Sequence, residues 1–440
     1  MSDYAILPSE MQAREFDAKL LTACVLAERG CRSIVGARHE IHNRIARLPA
    51  RIYLAKDVAP PSRRILDVIA AMGLHIAFLD EEALIFPSEA GYLSRRVDPQ
   101  SVAKIARIYS WGPRSTELMR LLPNAETRPL VETGNPRIDL LRPELRAFHQ
   151  RDVDSIRAAH GPFFLFNSNF GSVNPASEAK SRRPEVVRSQ HPDIGARLER
   201  RRQIYRAFLD LLPSVCRAFP HHKLIIRPHP AEAPTAWAQV ADKHANCEVV
   251  TSGQSIPWSL AAIATLHSGC STGFEAFVMG KVPISYRGVA TAKDDGLSPD
   301  FFSEILDRVD AVIDALKARC TGDAPRPTAA QTEALARYVT ALDGPLAAER
   351  LAAELLDFPP PARALALAPK LKAEMRALEK RIRGRNPQHK ASRQANAHRY
   401  PGVSPEGIAR KLADLRTALG RFDAVRATHL GGQVFRIHPA

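Results

Sequence analysis

Along the first two-thirds of the chain, short apolar runs alternate with longer segments whose apolar positions recur at helical spacing. The runs at 4–7, 33–36, 51–55, 75–79, 107–111 and 128–133 are candidate strands, as are those at 163–167, 223–227, 247–250, 262–266 and 282–286. Between the first two lies EFDAKLLTACVLAERG, helical in its apolar spacing and closed by a glycine. PSRRILDVIAAMG repeats that form, with proline early and glycine late. Strand and helix patterns in alternation predict βαβ units and parallel sheets. The pattern restarts after a polar, proline-containing stretch at 143–162, which divides an N-terminal unit, 1–145, from a second, 146–325. Two doubly wound α/β units in tandem are expected to face each other across a cleft at the carboxyl ends of their strands. The polar segment at 172–193 reads as a loop inserted after the second unit's first strand.

Beyond 325 the pattern changes. A helix-like QTEALARYVTAL is followed by a proline-rich hinge at 357–369, a basic helical stretch at 370–385, a loop-like segment and a last helix in EGIARKLADLRTALGRF. This predicts a basic helical C-terminal extension over 326–440. Charge separates it from the rest. Residues 361–440 carry 17 Lys/Arg and five Asp/Glu, whereas the first 360 carry 45 and 42. A nearly neutral body with a basic extension suits contact with an anionic surface. The extension has only Tyr400, Phe422 and Phe435 as aromatics, so no nucleic acid is expected; residues 361–440 either meet an anionic membrane surface or form a solvated basic helical pair packed across the two domains.

No run approaches the ~20 apolar residues of a membrane span, and the first residues lack the apolar core of a signal peptide. The expected location is the cytoplasm, peripheral at the inner face of the membrane. The six cysteines form no CxxC pair, which argues against zinc ribbons and dithiol redox chemistry. His39, Glu40 and His42 lack a third ligand at metal spacing, and no GxGxxG or Walker A motif follows any strand. No metal and no cofactor are expected.

Five segments carry candidate chemistry. In LIIRPHPAE, residues 224–232, a strand delivers Arg227 and His229 to its carboxyl end and two prolines stiffen the turn, so both groups could bond phosphate oxygens with little ordering cost. In HSGCSTGFEAF, residues 267–277, a strand meets a tight turn and a helix. Thr272 and Glu275 fit a capping box. The same helix start, with Gly269, Gly273, Ser271 and Thr272, suits a phosphate, and Glu275 could accept from ribose hydroxyls. Capping and phosphate binding are compatible at Thr272 but compete at Glu275. Asp80, Glu81 and Glu82 follow a strand directly. They are either an acidic helix start or a source of a general base for an acceptor hydroxyl. VETGNPRIDLL, residues 131–141, gives a strand end and a turn. Asn167, Ser168 and Asn169 end the second unit's first strand, where small polar groups suit either a nucleotide or an ordinary loop.

Taken in order, RPHPAE and HSGCSTGFEAFVMGKVPISY resemble the nucleotide-sugar domain of bacterial surface carbohydrate (capsule and lipopolysaccharide) biosynthesis proteins. They are similar to capsule Kdo transferases and CDP-glycerol glycerophosphotransferases. LPSEMQAREFDAKLLTACVLAERG, LDEEAL, YSWGPRSTELM and TGNPRIDLL extend the resemblance to the N-terminal half, covering about 4–320. The resemblance implies a GT-B fold, two Rossmann-like domains with the nucleotide-sugar held by the second. It implies a metal-independent glycosyltransferase that moves a sugar from a CMP- or CDP-linked donor to a glycan or lipid-linked acceptor. Nucleotide contacts would fall to Asn167, Ser168, Arg227, His229, Glu232, His267, Ser268, Gly269, Ser271, Thr272 and Glu275. Acceptor contacts would fall to Glu10, Asn135 and Arg137, and the base to Asp80, Glu81 or Glu82. Related enzymes carry glycine after their acidic pair, where this chain has Ala83. The alternatives are a nucleotide-sugar 2-epimerase of the same fold and a non-catalytic partner that binds nucleotide or glycan.

Overall fold

Apolar runs without alternation suit strands covered on both faces, and the structure places them in parallel sheets. A computed structural model describes residues 4–48, 50–86, 88–176, 192–289, 299–359, 367–385 and 399–440. The chain forms two compact units, one of Met1–Phe148 with Glu333–Ala440, the other of His149–Thr332. The region 326–440 is therefore not a third domain: from Glu333 onward it belongs to the first unit.

In the first unit six parallel strands run β1 (Ala5–Ser9), β2 (Ser33–Ala37), β3 (Ile52–Ala55), β4 (His75–Leu79), β5 (Ile105–Ser110) and β6 (Leu130–Glu132). Their order in the sheet is β2-β1-β3-β4-β5-β6. Chain direction across the sheet reverses between β1 and β3, so the crevice of a doubly wound sheet opens at Ser9-Glu10 and Ala55-Lys56. A π-helical turn, Gln12–Phe16, leads into the buried helix Asp17–Glu28.

The second unit holds β7 (Phe163–Asn167), β8 (Lys223–Arg227), β9 (Cys247–Val249), β10 (Ala264–His267), β11 (Ile284–Tyr286) and β12 (Glu304–Leu306). All pair in parallel, in the order β9-β8-β7-β10-β11-β12, a Rossmann arrangement whose switch point lies between β7 and β10. Its core joins Phe164, Phe166, Phe208, Trp237 and Leu266 across the sheet and the helix Pro192–Ala218. Most of the insertion expected at 172–193 lies outside the described residues. So does most of the hinge expected at 357–369.

The C-terminal region is not purely helical. After the helices Ala329–Tyr338, Ala347–Leu356, Leu367–Arg385 and Pro405–Leu419, it ends in a hairpin of β13 (Val425–His429) and β14 (Val434–Pro439). Strand β14 pairs antiparallel with β2, Val434 opposite Gly36 and Ile437 opposite Ser33, and buries Val434, Phe435 and Ile437. Asp139 ties in the region at another point, accepting from the N–H groups of Ala347 and Ala348 at 2.8 Å each. Among the described residues no helix is long and apolar enough to cross a membrane.

Candidate functional site

Parallel pairing brings three of the sequence motifs to one edge of the second sheet. Asn167 is opposite His267 on β10 and opposite Arg227 on β8, so FNSN, HSGC and RPHP leave the sheet side by side. Strand spacing puts β8 and β10 roughly 10 Å apart, with β7 between them.

His267 is fully buried and works inside its own turn. Its Nδ1 accepts from the N–H of Gly269 at 3.0 Å and Cys270 at 3.4 Å, and its Nε2 meets Ser303 Oγ at 2.8 Å. Two backbone donors on Nδ1 require that nitrogen to be unprotonated, so Nε2 carries the proton towards Ser303. A Cβ at Gly273 would overlap this imidazole. Gly273 therefore makes room for His267. Gly269, with φ +73, supplies the left-handed corner of the turn.

The helix that follows spans Ser271–Val278 with Cys270 at its N-cap, two residues earlier than a capping box at Thr272 would require. No side-chain hydrogen bond caps it. Glu275 meets Ser255 Oγ at 3.4 Å. The N–H groups that open the helix belong to half-buried Ser271 and Thr272, and the first N–H groups of a helix have no partner within it.

Glu232 is buried and organises the neighbouring loop. It accepts from Ser168 Oγ at 2.6 Å, Phe170 N at 2.7 Å, His229 N at 3.2 Å and Trp237 Nε1 at 3.0 Å. Ser168 is thereby engaged as well. His229 is exposed, and its Nδ1 accepts from Ala231 N at 3.1 Å. Arg227 donates through Nη1 to Ser252 O at 2.6 Å and through Nη2 to Gly253 O at 2.8 Å, and lies over the Trp258 ring. Its fork holds the loop after β9. No carboxylate pairs with it among the described residues, and burial brings its pKa down to about 10.

Two donors at the switch point stand out. The side-chain nitrogen of Asn167, in a residue 5% exposed, has no hydrogen-bond partner among the described residues. Arg201, on the helix Pro192–Ala218, reaches the same place. It donates to Ser268 O at 2.7 Å and to Asn169 O, and its guanidinium lies 4.5 Å from the Phe170 ring centroid. No carboxylate pairs with it among the described residues, and burial lowers its pKa. Sequence reasoning missed Arg201. It sits in no motif, and only the fold brings it to Ser268.

In the first unit the acidic cluster is a turn and not a helix start; the next helix begins at Glu89. Asp80 is buried, bonded to Tyr92 Oη and Arg96, and its desolvation raises its pKa. Glu81 is closed to solvent and pairs with Lys19 at 2.6 Å, a lysine equally buried. Asn135 Nδ2 and Arg137 Nη1 also turn to Glu81, at 3.4 Å from its carboxylate and 3.1 Å from its carbonyl oxygen. Burial would raise the Glu81 pKa, but Lys19 and Arg137 outweigh it and hold the group at about 2. Glu82 alone is partly open, its side chain 40% exposed and bonded to Arg14 at 3.0 Å. Glu10, at the β1/β3 crevice, is bonded by Lys56 at 2.9 Å and by Arg38 and Arg399 at 2.7 and 2.8 Å. The crevice of this unit is thus lined by opposite charges already matched, whereas at the crevice of the second unit Asn167 and Arg201 are bonded to no carboxylate among the described residues. His42 and Glu40 serve packing, the first on Tyr53 Oη and the second on Arg44 and Gln433 N.

The fold and these edges define a protein of two Rossmann-like, doubly wound units. No family model matches the chain, and no curated protein matches it. Similar solved structures include the UDP-GlcNAc 2-epimerase of Methanocaldococcus jannaschii in complex with UDP-GlcNAc and UDP, at 8% identity, 81% of this chain, 99% of that chain and a TM-score of 0.49. The UDP-GlcNAc 2-epimerase of Neisseria meningitidis is similar at 9% identity, 81% and 99% coverage, TM-score 0.46. The wall teichoic acid polymerase TagF is similar at 12% identity, 74% and 77% coverage, TM-score 0.45. At these TM-scores the assignment of the fold rests on the strand orders themselves.

Proposed function

We propose that this protein is a glycosyltransferase of surface polysaccharide biosynthesis that binds the phosphates of a CMP- or CDP-linked sugar at the β7/β10 switch point. The observation that supports this most is the buried, unpartnered amide of Asn167 beside the acid-free guanidinium of Arg201 and the opening N–H groups of Ser271 and Thr272. An unpartnered amide, a guanidinium paired with backbone carbonyls but no carboxylate, and a helix start at the edge of a Rossmann sheet suit a phosphate. In the transfer step the acceptor hydroxyl oxygen bonds to the sugar's anomeric carbon as the bond from that carbon to the phosphate oxygen breaks. The leaving nucleotide keeps the electron pair, stabilised by the switch-point donors. The acceptor proton is assigned to Glu82, the one carboxylate of 80–82 open to solvent.

The test is thermal unfolding of the full chain with CMP, CDP, UDP, GDP and their sugar conjugates. Cytidine nucleotides should raise the midpoint. Asn167→Leu should leave the ligand-free midpoint unchanged or higher, because it removes a buried unpaired amide, yet lose most of the nucleotide-dependent rise. A full rise in the variant, or no response to any nucleotide, would overturn the reading. Conversion of a sugar nucleotide without any acceptor would favour the 2-epimerase.

A further inference from the structure

Helix Leu367–Arg385 belongs to the first unit and rests on it through small residues. Ala373 and Ala377 are 3% and 5% exposed, and Arg47 bonds Glu374 at 2.7 and 3.1 Å. The opposite side is apolar and uncovered. Leu371, Met375, Leu378 and Ile382 are 57–65% exposed, and only two other large apolar residues, Leu121 and Ile305, are exposed among the described residues. Steps of four, three and four residues align these four side chains along about 16 Å of helix. In sequence the helix carries seven Lys/Arg and two Glu.

We infer that this stripe is a membrane-docking face, which lays the helix flat on a bilayer rich in anionic lipid. The four apolar side chains enter the boundary between headgroups and acyl chains, and the helix's net positive charge draws it to lipid phosphates. Charge complementarity selects this occupant. A second copy would bring a net +5 helix against another of the same charge. Four side chains of about 100 Å² each from two copies also fall short of the ~1,200 Å² of a stable interface. Among the described residues that follow, Pro405–Leu419 and the hairpin are built into the first unit. Docking thus belongs to one helix face. The inference is independent of the nucleotide reading.

The full chain is floated with vesicles of phosphatidylcholine alone and of phosphatidylcholine mixed with phosphatidylglycerol. It should float with the mixed vesicles, less so at high salt, and hardly at all with the neutral ones. L378E with I382E should lower binding about tenfold or more without shifting the unfolding midpoint, because both residues are exposed. Light scattering on the same proteins without lipid reports their mass. No binding to either vesicle, or binding that the substitutions leave intact, overturns the inference. So does a dimer that the substitutions convert to monomer while vesicle binding persists.

Discussion

Substituting Glu81 removes one half of an ion pair whose two side chains are 1% and 2% exposed. Glu81→Gln leaves the Lys19 ammonium buried without its carboxylate, at a cost of about 3–5 kcal/mol. The expected result is a large fall in the unfolding midpoint, with any loss of activity following from instability. Glu82→Gln acts at a half-open side chain paired with the partly exposed Arg14, so it should move stability by no more than about 0.5 kcal/mol. If Glu82 takes the acceptor proton, that variant loses turnover while keeping both its fold and its nucleotide-dependent rise. Full turnover in Glu82→Gln would remove it from the mechanism. Gly273→Ala makes a third case. The new methyl overlaps His267, so the whole HSGC turn must shift, and both stability and nucleotide binding should fall together.

At the level of elements, Asp139 shows how a single side chain fixes a distant segment. Its two oxygens meet the first N–H groups of the helix Ala347–Leu356, 208 residues on. Asp139→Ala strips that helix of its acceptors at a buried end, and a loss of about 1–2 kcal/mol by denaturant unfolding is expected. Such pairings explain what was legible. Most of the strands β1–β11 were readable because burial on both faces makes them continuous apolar runs, while β6 and β9 are half-buried and were readable from their β-branched residues and flanking breaks. Strand β12 is a short, half-exposed edge, and β13 buries only Val425, so neither shows a pattern. The Gly431-Gly432 turn before β14 was a hairpin signal, but it adjoined a strand with no apolar alternation. Within the candidate site, the strand-end turns were legible because Gly, Pro and small polar residues punctuate them. Which side chains those turns consume was not. His267, Glu232 and Arg227 have internal partners, and the partners are set by tertiary contact.

At the scale of the whole molecule, buried carboxylates of the first unit should give it two opposite responses to acid. In the first unit, burial raises the Asp139 carboxyl to about 7, and Asp80 and Glu15 are raised in the same way. A group raised on folding contributes stability that is complete below its unfolded pKa and lost as pH rises through its folded pKa. Acidification from neutral towards about pH 5 therefore strengthens this unit. Glu10 and Glu81 have the opposite sign. Burial opposes their ionisation, but Lys56 and Arg38 around Glu10, and Lys19 and Arg137 around Glu81, bring each down to about 2. Their contribution is present above the unfolded value of about 4.3 and is lost as pH falls from there towards 2. The first unit should thus be most stable in mild acid and should weaken steeply below about pH 4. The second unit serves as the internal comparison. Tryptophan fluorescence separates the two, since Trp111 is buried in the first unit and Trp237 and Trp258 in the second. Trp111→Phe reports the second unit alone, and the Trp237→Phe, Trp258→Phe pair reports the first. Parallel, monotonic loss of both midpoints from neutral pH downward would show that these buried carboxylates do not set the acid response.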